Sequence, residues 1–153
     1  MTEIEQAVGA FMRAWERRDW PRMVRALQVR RRTRTTSQRL RAQFVDLEIR
    51  RWAIAGEPRI KSVARVVTLD GGRLGITPDA REVSVDILYR YAGSLLRQRL
   101  EIIVVREDEK GQPPLEDEAG TWGVNEISAL RGRHASGGQY VPPEEAANDD
   151  PVA

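Results

Sequence analysis

Residues 44–54 read Phe44-Val45-Asp46-Leu47-Glu48-Ile49-Arg50-Arg51-Trp52-Ala53-Ile54, and the rhythm of apolar residues changes there. Upstream, apolar positions recur every three or four residues, the period of a helix face. From Phe44 they alternate, the period of a strand. Val45, Leu47 and Ile49 point one way and Asp46, Glu48 and Arg50 the other, until the phase flips and Trp52 and Ile54 take the apolar side. A β-bulge at Arg50-Arg51 re-aims a strand in this way. The reading is a switch from helices to sheet near residue 44.

Working back from that switch, Thr2-Glu3-Ile4-Glu5 is a capping box, a hydroxyl at the N-cap and a carboxylate three residues on. Ile4, Val8, Phe11 and Trp15 then form one apolar stripe on a helix of about 16 residues. Asp19 offers a second N-cap with Pro21 in the first turn, where proline is tolerated. Met23, Val24 and Leu27 give that second, shorter helix its buried edge. Arg30–Ser37 has no apolar period, and a loop or a helical turn suits Ser37–Ala42.

Working forward, Gly56-Glu57-Pro58 is a turn and Ile60–Leu69 the partner strand, closed by Asp70-Gly71-Gly72. Glu82–Tyr91 alternates cleanly, with Val83, Val85, Ile87, Tyr89 and Tyr91 on one face. Gly93-Ser94 supports a turn. Leu100–Val105 is a continuous apolar run, a strand covered on both faces. Residues 107–120 are acidic and hold Gly111, Pro113 and Pro114, so they read as a flexible loop before a last strand at Thr121–Ser128. The fold class expected is α+β: two to three N-terminal helices on a curved antiparallel sheet of about five strands. One domain spans residues 1–130, and 131–153, too polar to bury much, reads as a disordered tail.

The 153 residues hold no cysteine and one histidine. Disulfides, thiolate zinc sites and thiol nucleophiles are thereby excluded, and neither a metal nor a cofactor is expected. No apolar run approaches the ~18 residues of a membrane helix. The N-terminus is acidic where a secretory signal is basic, so a cytoplasmic address and no membrane partner are expected. Residues 1–106 carry 22 Lys/Arg against 12 Asp/Glu, and residues 107–153 carry 3 against 11. Between Arg22 and Arg41 stand eight arginines and no acid. Arg30, Arg31, Arg32 and Arg34 are the candidates there for a polyanion such as nucleic acid. The run holds no aromatic on which bases would stack, and a solvated face, or one paired with the acidic stretch Glu107–Glu118, explains it as well.

The stretch Ala10-Phe11-Met12-Arg13-Ala14-Trp15-Glu16-Arg17-Arg18-Asp19-Trp20, followed by Met23 and Leu27, resembles the helix–turn–helix opening of the nuclear transport factor 2-like superfamily. That superfamily includes ketosteroid isomerases and polyketide cyclases. Trp122-Gly123-Val124 is similar to its final strand, and the resemblance spans residues 2–128. It implies a cone-shaped fold with a cavity between helices and sheet, and a homodimer formed through the other sheet face. A dimer also suits strands apolar on both faces, since helices cover only one. Isomerase relatives carry a tyrosine eight residues before the turn aspartate; this chain has Phe11 there, which has no hydroxyl.

Candidate chemistry is sparse. His134 falls in the tail, away from rigid support, and no Gly-Lys-Ser/Thr follows the paired glycines at 71–72 or 137–138. Asp46 and Asp86, read as strand residues near Arg50, Arg65, Arg90 and Arg99, are the carboxylates open to acid–base work in a small isomerase, cyclase or hydrolase. Pairing with those arginines is the plainer reading. Phe11, Trp15 and Tyr89 are either core or the lining of a small apolar-ligand pocket with one polar handle. The sequence therefore favours a non-enzymatic, homodimeric ligand-binding protein.

Overall fold

The computed structural model describes residues 2–50, 60–73, 79–91, 94–115, 119–131 and 139–140. Four helices lead: α1 Glu3–Glu16, α2 Trp20–Arg25, α3 Val29–Arg32 and α4 Ser37–Arg50. Strands β1 Ile60–Arg73, β2 Ala80–Tyr91, β3 Ser94–Glu107 and β4 Thr121–Asn125 follow. Helix α5 Glu126–Arg131 and a short β5 Gln139–Tyr140 close the described chain. The strands pair antiparallel in the order β1-β2-β3-β4, with β5 against β3. The chain is α+β, helices first and antiparallel sheet after, as the sequence indicates.

The capping box forms as expected: the Glu5 amide donates to Thr2 Oγ1 (3.1 Å) and the Thr2 amide to Glu5 Oε2 (3.3 Å). Val8, Phe11, Met12, Ala14 and Trp15 bury the inner face of α1. The helix ends on Arg18, which takes φ 56°, a left-handed value that costs a non-glycine residue about 1 kcal/mol. Asp19 N–H reaches Ala14 O (2.8 Å) and Arg18 N–H reaches Trp15 O (3.1 Å), a Schellman cap with arginine in the usual glycine place. Asp19 then caps α2 through the Arg22 amide (3.2 Å).

The expectation at the switch itself is overturned. Phe44–Arg50 is not a strand but the second half of α4, so Asp46 is a helical residue. Leu40, Phe44 and Leu47, at steps of four and three, are the buried stripe. Glu48 is buried beside them, whereas Ile49 is 44% exposed. The apparent alternation placed Glu48 with the polar set, and the real period was hidden by a charged residue that points inward. Thr36, whose Oγ1 accepts from the Arg39 amide (3.1 Å), starts the helix. The expected bulge at Arg50-Arg51, the residues Trp52 and Ile54, and the turn at 56–58 lie outside the described residues.

The other four strands stand where expected, with shifted ends. β1 runs on through Asp70-Gly71-Gly72 to Arg73, past the expected stop. β2 and β3 pair in unbroken register from Ala80↔Val105 to Tyr91↔Ser94. Glu126–Ser128 was expected to be strand and is the first turn of α5, because Asn125 Oδ1 accepts from the Ile127 (3.0 Å) and Ser128 (3.4 Å) amides and turns the chain. The region expected to be a disordered tail begins with Arg131, the end of α5, and contains β5, while the rest of it is outside the described residues. The acidic loop is tied at its start, where Asp108 Oδ1 accepts from the Lys110 (2.8 Å) and Gln112 (3.0 Å) amides.

Val83, Val85 and Ile87 of β2, with Leu100, Ile102 and Val104 of β3, face α1 and α4 in one core. Phe11, Trp15 and Phe44 form an edge-to-face trio, with Trp15 and Phe44 centroids 4.7 Å apart. A second tie joins the ends of the chain: Leu27 makes a parallel bridge with Val124. Gln28 N–H donates to Val124 O (2.9 Å) and Val124 N–H to Ala26 O (3.0 Å). This holds the segment between α2 and α3 against β4.

Candidate arginine cleft and the groove beside α5

The catalytic candidates do not come together. Asp46 projects from the exposed side of α4. Asp86, 5% exposed on β2, binds the Arg99 guanidinium through Nε (2.9 Å) and Nη2 (3.4 Å). The pairing and the Asp86 charge hold Arg99 still more basic than usual. Asp86 is thus engaged in an ion pair, the plainer of its two expected roles. Tyr89 pairs with Leu96 and Ile60 in the sheet, and its side chain lies outside the described set. Phe11 and Trp15 have no exposed surface and pack directly on Phe44 and on each other. His134 is outside the described residues. Among the described residues no group of three or more acids or histidines is placed to hold a metal ion, and no helix is long and apolar enough to cross a membrane.

Trp15 instead donates its indole N–H to Glu48 Oε1 (3.1 Å). Arg18 Nη1 reaches both oxygens of the same carboxylate (2.8 and 3.1 Å). Glu48 has no exposed surface. The strained backbone of Arg18 therefore serves to aim a guanidinium at a buried carboxylate across the α1–α4 interface. This constellation joins two helices.

The basic run divides by role. Arg31 grips Glu126 through Nε and Nη2 (both 2.6 Å), and Arg32 Nε donates to Leu27 O (2.8 Å). Both are ties between α3 and the rest of the fold. Arg30, exposed, gives its backbone amide to Glu107 (3.4 Å), whose other oxygen accepts from Gln28 Nε2 (3.0 Å). The start of the acidic stretch thus meets the basic run, but through an amide and a glutamine. Arg34 is exposed.

A different set of arginines converges. Arg13 lies on the outer face of α1 and Arg17, its C-cap, one turn further on, with Arg22 and Arg25 on α2. Their exposed side chains surround a cleft of about 390 Å³ lined also by Ala10, Ala14, Ala26 and Asp19. Small side chains let the two helices approach and leave room between the guanidinium groups. Gly9 does the same for Arg13, whose Nη1 lies 3.0 Å from where a β-carbon at Gly9 would stand. Asp19 is the single acid in the lining, and it is engaged with Arg22 (3.4 Å). Glu16, next to Arg17, has its carboxyl raised above the usual range by burial, partly offset by the Arg17 charge. Arg13 and Arg17 precede the basic run in sequence; their i, i+4 spacing on a helix whose other face is apolar was the available signal.

A separate groove of about 670 Å³ opens where α5 meets β2 and β3, lined by Arg31, Glu82, Glu101, Ile103, Asn125, Ile127, Ser128 and Arg131. Compared with family models, with curated proteins and with solved structures, the chain matches none.

Proposed function

We propose that the protein is a non-catalytic binding module that holds phosphate-bearing anions in the arginine cleft between α1 and α2. The carrying observation is that four exposed arginines line one cleft whose lining contains a single carboxylate. A guanidinium meets phosphate oxygens with two parallel donors, and four of them set a strong local field. The cleft lining holds no aromatic ring, so recognition there addresses phosphate and not the faces of bases. Absence of catalysis agrees with an Asp46 out on a helix surface and an Asp86 committed to Arg99. A cone-like sheet belongs to the same reading. The register shifts between Ile60/Ser62, Val63/Arg65 and Thr68/Arg73 in the β1–β2 pairing are irregularities of the kind that bend strands.

Fluorescence anisotropy with a labelled single-stranded oligonucleotide, competed by tripolyphosphate, tests the proposal. Four neutralised phosphates give a slope of about −2.8 for log affinity against log salt, and each arginine removed takes away about 0.7. The quadruple variant R13Q/R17Q/R22Q/R25Q is expected to lose binding, and R30Q/R34Q to keep most of it. Competition by tripolyphosphate identifies a small phosphate ligand, and its failure to compete identifies a polymer. Unchanged affinity and slope in the quadruple variant, or no binding of either probe by the parent chain, would overturn the proposal.

A further inference from the structure

The groove beside α5 is chemically unlike the arginine cleft and shares no residue with it. Its sheet wall is acidic and its helical wall basic. Glu82 and Glu101 are diagonal neighbours on β2 and β3, since Glu82 is opposite Ile103 and Ser84 opposite Glu101. The hydrogen bond to Glu101, with burial and the Glu101 charge, raises the Glu82 carboxyl above its usual range. Across the groove, Arg131 is exposed and has no carboxylate partner among the described residues. Arg31 spends Nε and Nη2 on one oxygen of Glu126. Ile103 and Ile127 supply apolar lining between the two walls.

Glu82, Ile103 and Asn125 stand on one line across three strands, and α5 begins directly after Asn125, so the acidic sheet face and the helix border one groove. A free α-ammonium placed beside two carboxylates offers both an opposite charge, and a C-terminal carboxylate suits a guanidinium as bidentate partner.

We propose that this groove binds a short zwitterionic peptide with small apolar side chains, its ammonium end at Glu82–Glu101 and its carboxylate end at Arg131.

The probe is L-Ala-L-Ala-L-Ala, titrated into the full chain and followed by amide NMR and by calorimetry in two buffers of different ionisation enthalpy. A ligand this small is expected to bind with a dissociation constant on the order of 1 mM. It should shift the Ile103 and Ile127 amides and release protons where Glu82 is partly protonated, above the ordinary glutamate range. The N-acetylated, C-amidated tripeptide should bind at least about tenfold more weakly. E101Q should abolish proton release, while R131Q should weaken the free tripeptide about tenfold without changing affinity for its C-amide; R131K should restore part of the loss. Thermal melts establish that both variants fold, as expected for substitutions outside the core. Equal binding of the blocked and free tripeptides, proton release retained in E101Q, or no shift of the groove amides at 20-fold the expected dissociation constant (~20 mM) would overturn the proposal.

Discussion

Substituting Gly123 by alanine tests how the two ends of the chain are joined. Gly123 has no unusual backbone angle; what it supplies is closeness. A β-carbon there would lie 2.4 Å from Gln28 Cα, 2.5 Å from Gln28 N and 2.7 Å from Leu27 C, all main-chain atoms that cannot rotate aside. Restoring ordinary contact requires residues 27 and 28 to retreat by about 1 Å. The hydrogen bonds Gln28 N–H to Val124 O (2.9 Å) and Val124 N–H to Ala26 O (3.0 Å) then pass out of range. Each buried amide pair lost costs about 1–1.5 kcal/mol, more where a group stays dry and unpaired. Leu27, with no exposed surface, is drawn partly from the core, adding about 1–2 kcal/mol. The expected loss is about 3–5 kcal/mol, a melting temperature lower by roughly 10–15 °C for a chain this size. Urea unfolding at 25 °C, followed by far-UV circular dichroism, reads it as a lower midpoint with unchanged slope. Gly9→Ala is the control. Its new β-carbon meets only the far end of the Arg13 side chain, so the helix gains up to about 1 kcal/mol. A Gly123→Ala loss below about 1 kcal/mol would refute the bridge between the α2–α3 segment and β4.

Three further outcomes are expected. Phe44→Ala, which empties one corner of the aromatic trio, should cost about 3–5 kcal/mol in the same assay; a neutral result would deny Phe44 its place in the core. Glu48→Ala should cost about 3–4 kcal/mol because it strands the Arg18 charge, whereas the double variant Arg18→Met/Glu48→Leu should lose less than the two single losses combined; strict additivity would deny the pairing. For Glu82, the raised folded-state carboxyl means that its contribution is fully present below the ordinary glutamate range near pH 4.5 and is lost as pH rises through the folded value. Carboxyl-carbon NMR should therefore find Glu82 titrating above that range and returning towards it in Glu101→Gln; titration unaffected by Glu101 would disprove the coupling of the two side chains.

The sequence was most informative where one physical signal acted alone. The capping box at Thr2–Glu5, the stripe through Val8, Phe11 and Trp15, and the alternation of Val83, Val85 and Ile87 all reappear as structure. It misled where a polar residue points inward. Glu48 belongs to the buried face of α4 only because Trp15 and Arg18 reach it from a helix 30 or more residues earlier, and no local pattern records that. The end of β4 was read too long because Glu126-Ile127-Ser128 alternates like a strand; the Asn125 cap was the competing signal. The arginine cleft was half legible. Arg22 and Arg25 fall inside the basic run, but Arg13 and Arg17 join them only through the packing of α1 on α2, and Arg31 and Arg32 leave the set by binding Glu126 and Leu27 O. The groove was not legible at all, because it exists only where β2, β3 and α5 are brought to one place.

The Leu27–Val124 bridge also sets an order of events during synthesis. Arg31 and its carboxylate partner Glu126 are 95 residues apart in the chain. At about 5–20 residues per second, a ribosome takes on the order of ten seconds to travel that far. Throughout that interval Leu27 and Arg31 lack the partners that the folded protein gives them. Emergence of segment 121–131 supplies both at once, so a late piece of the fold acts as the latch on an early one.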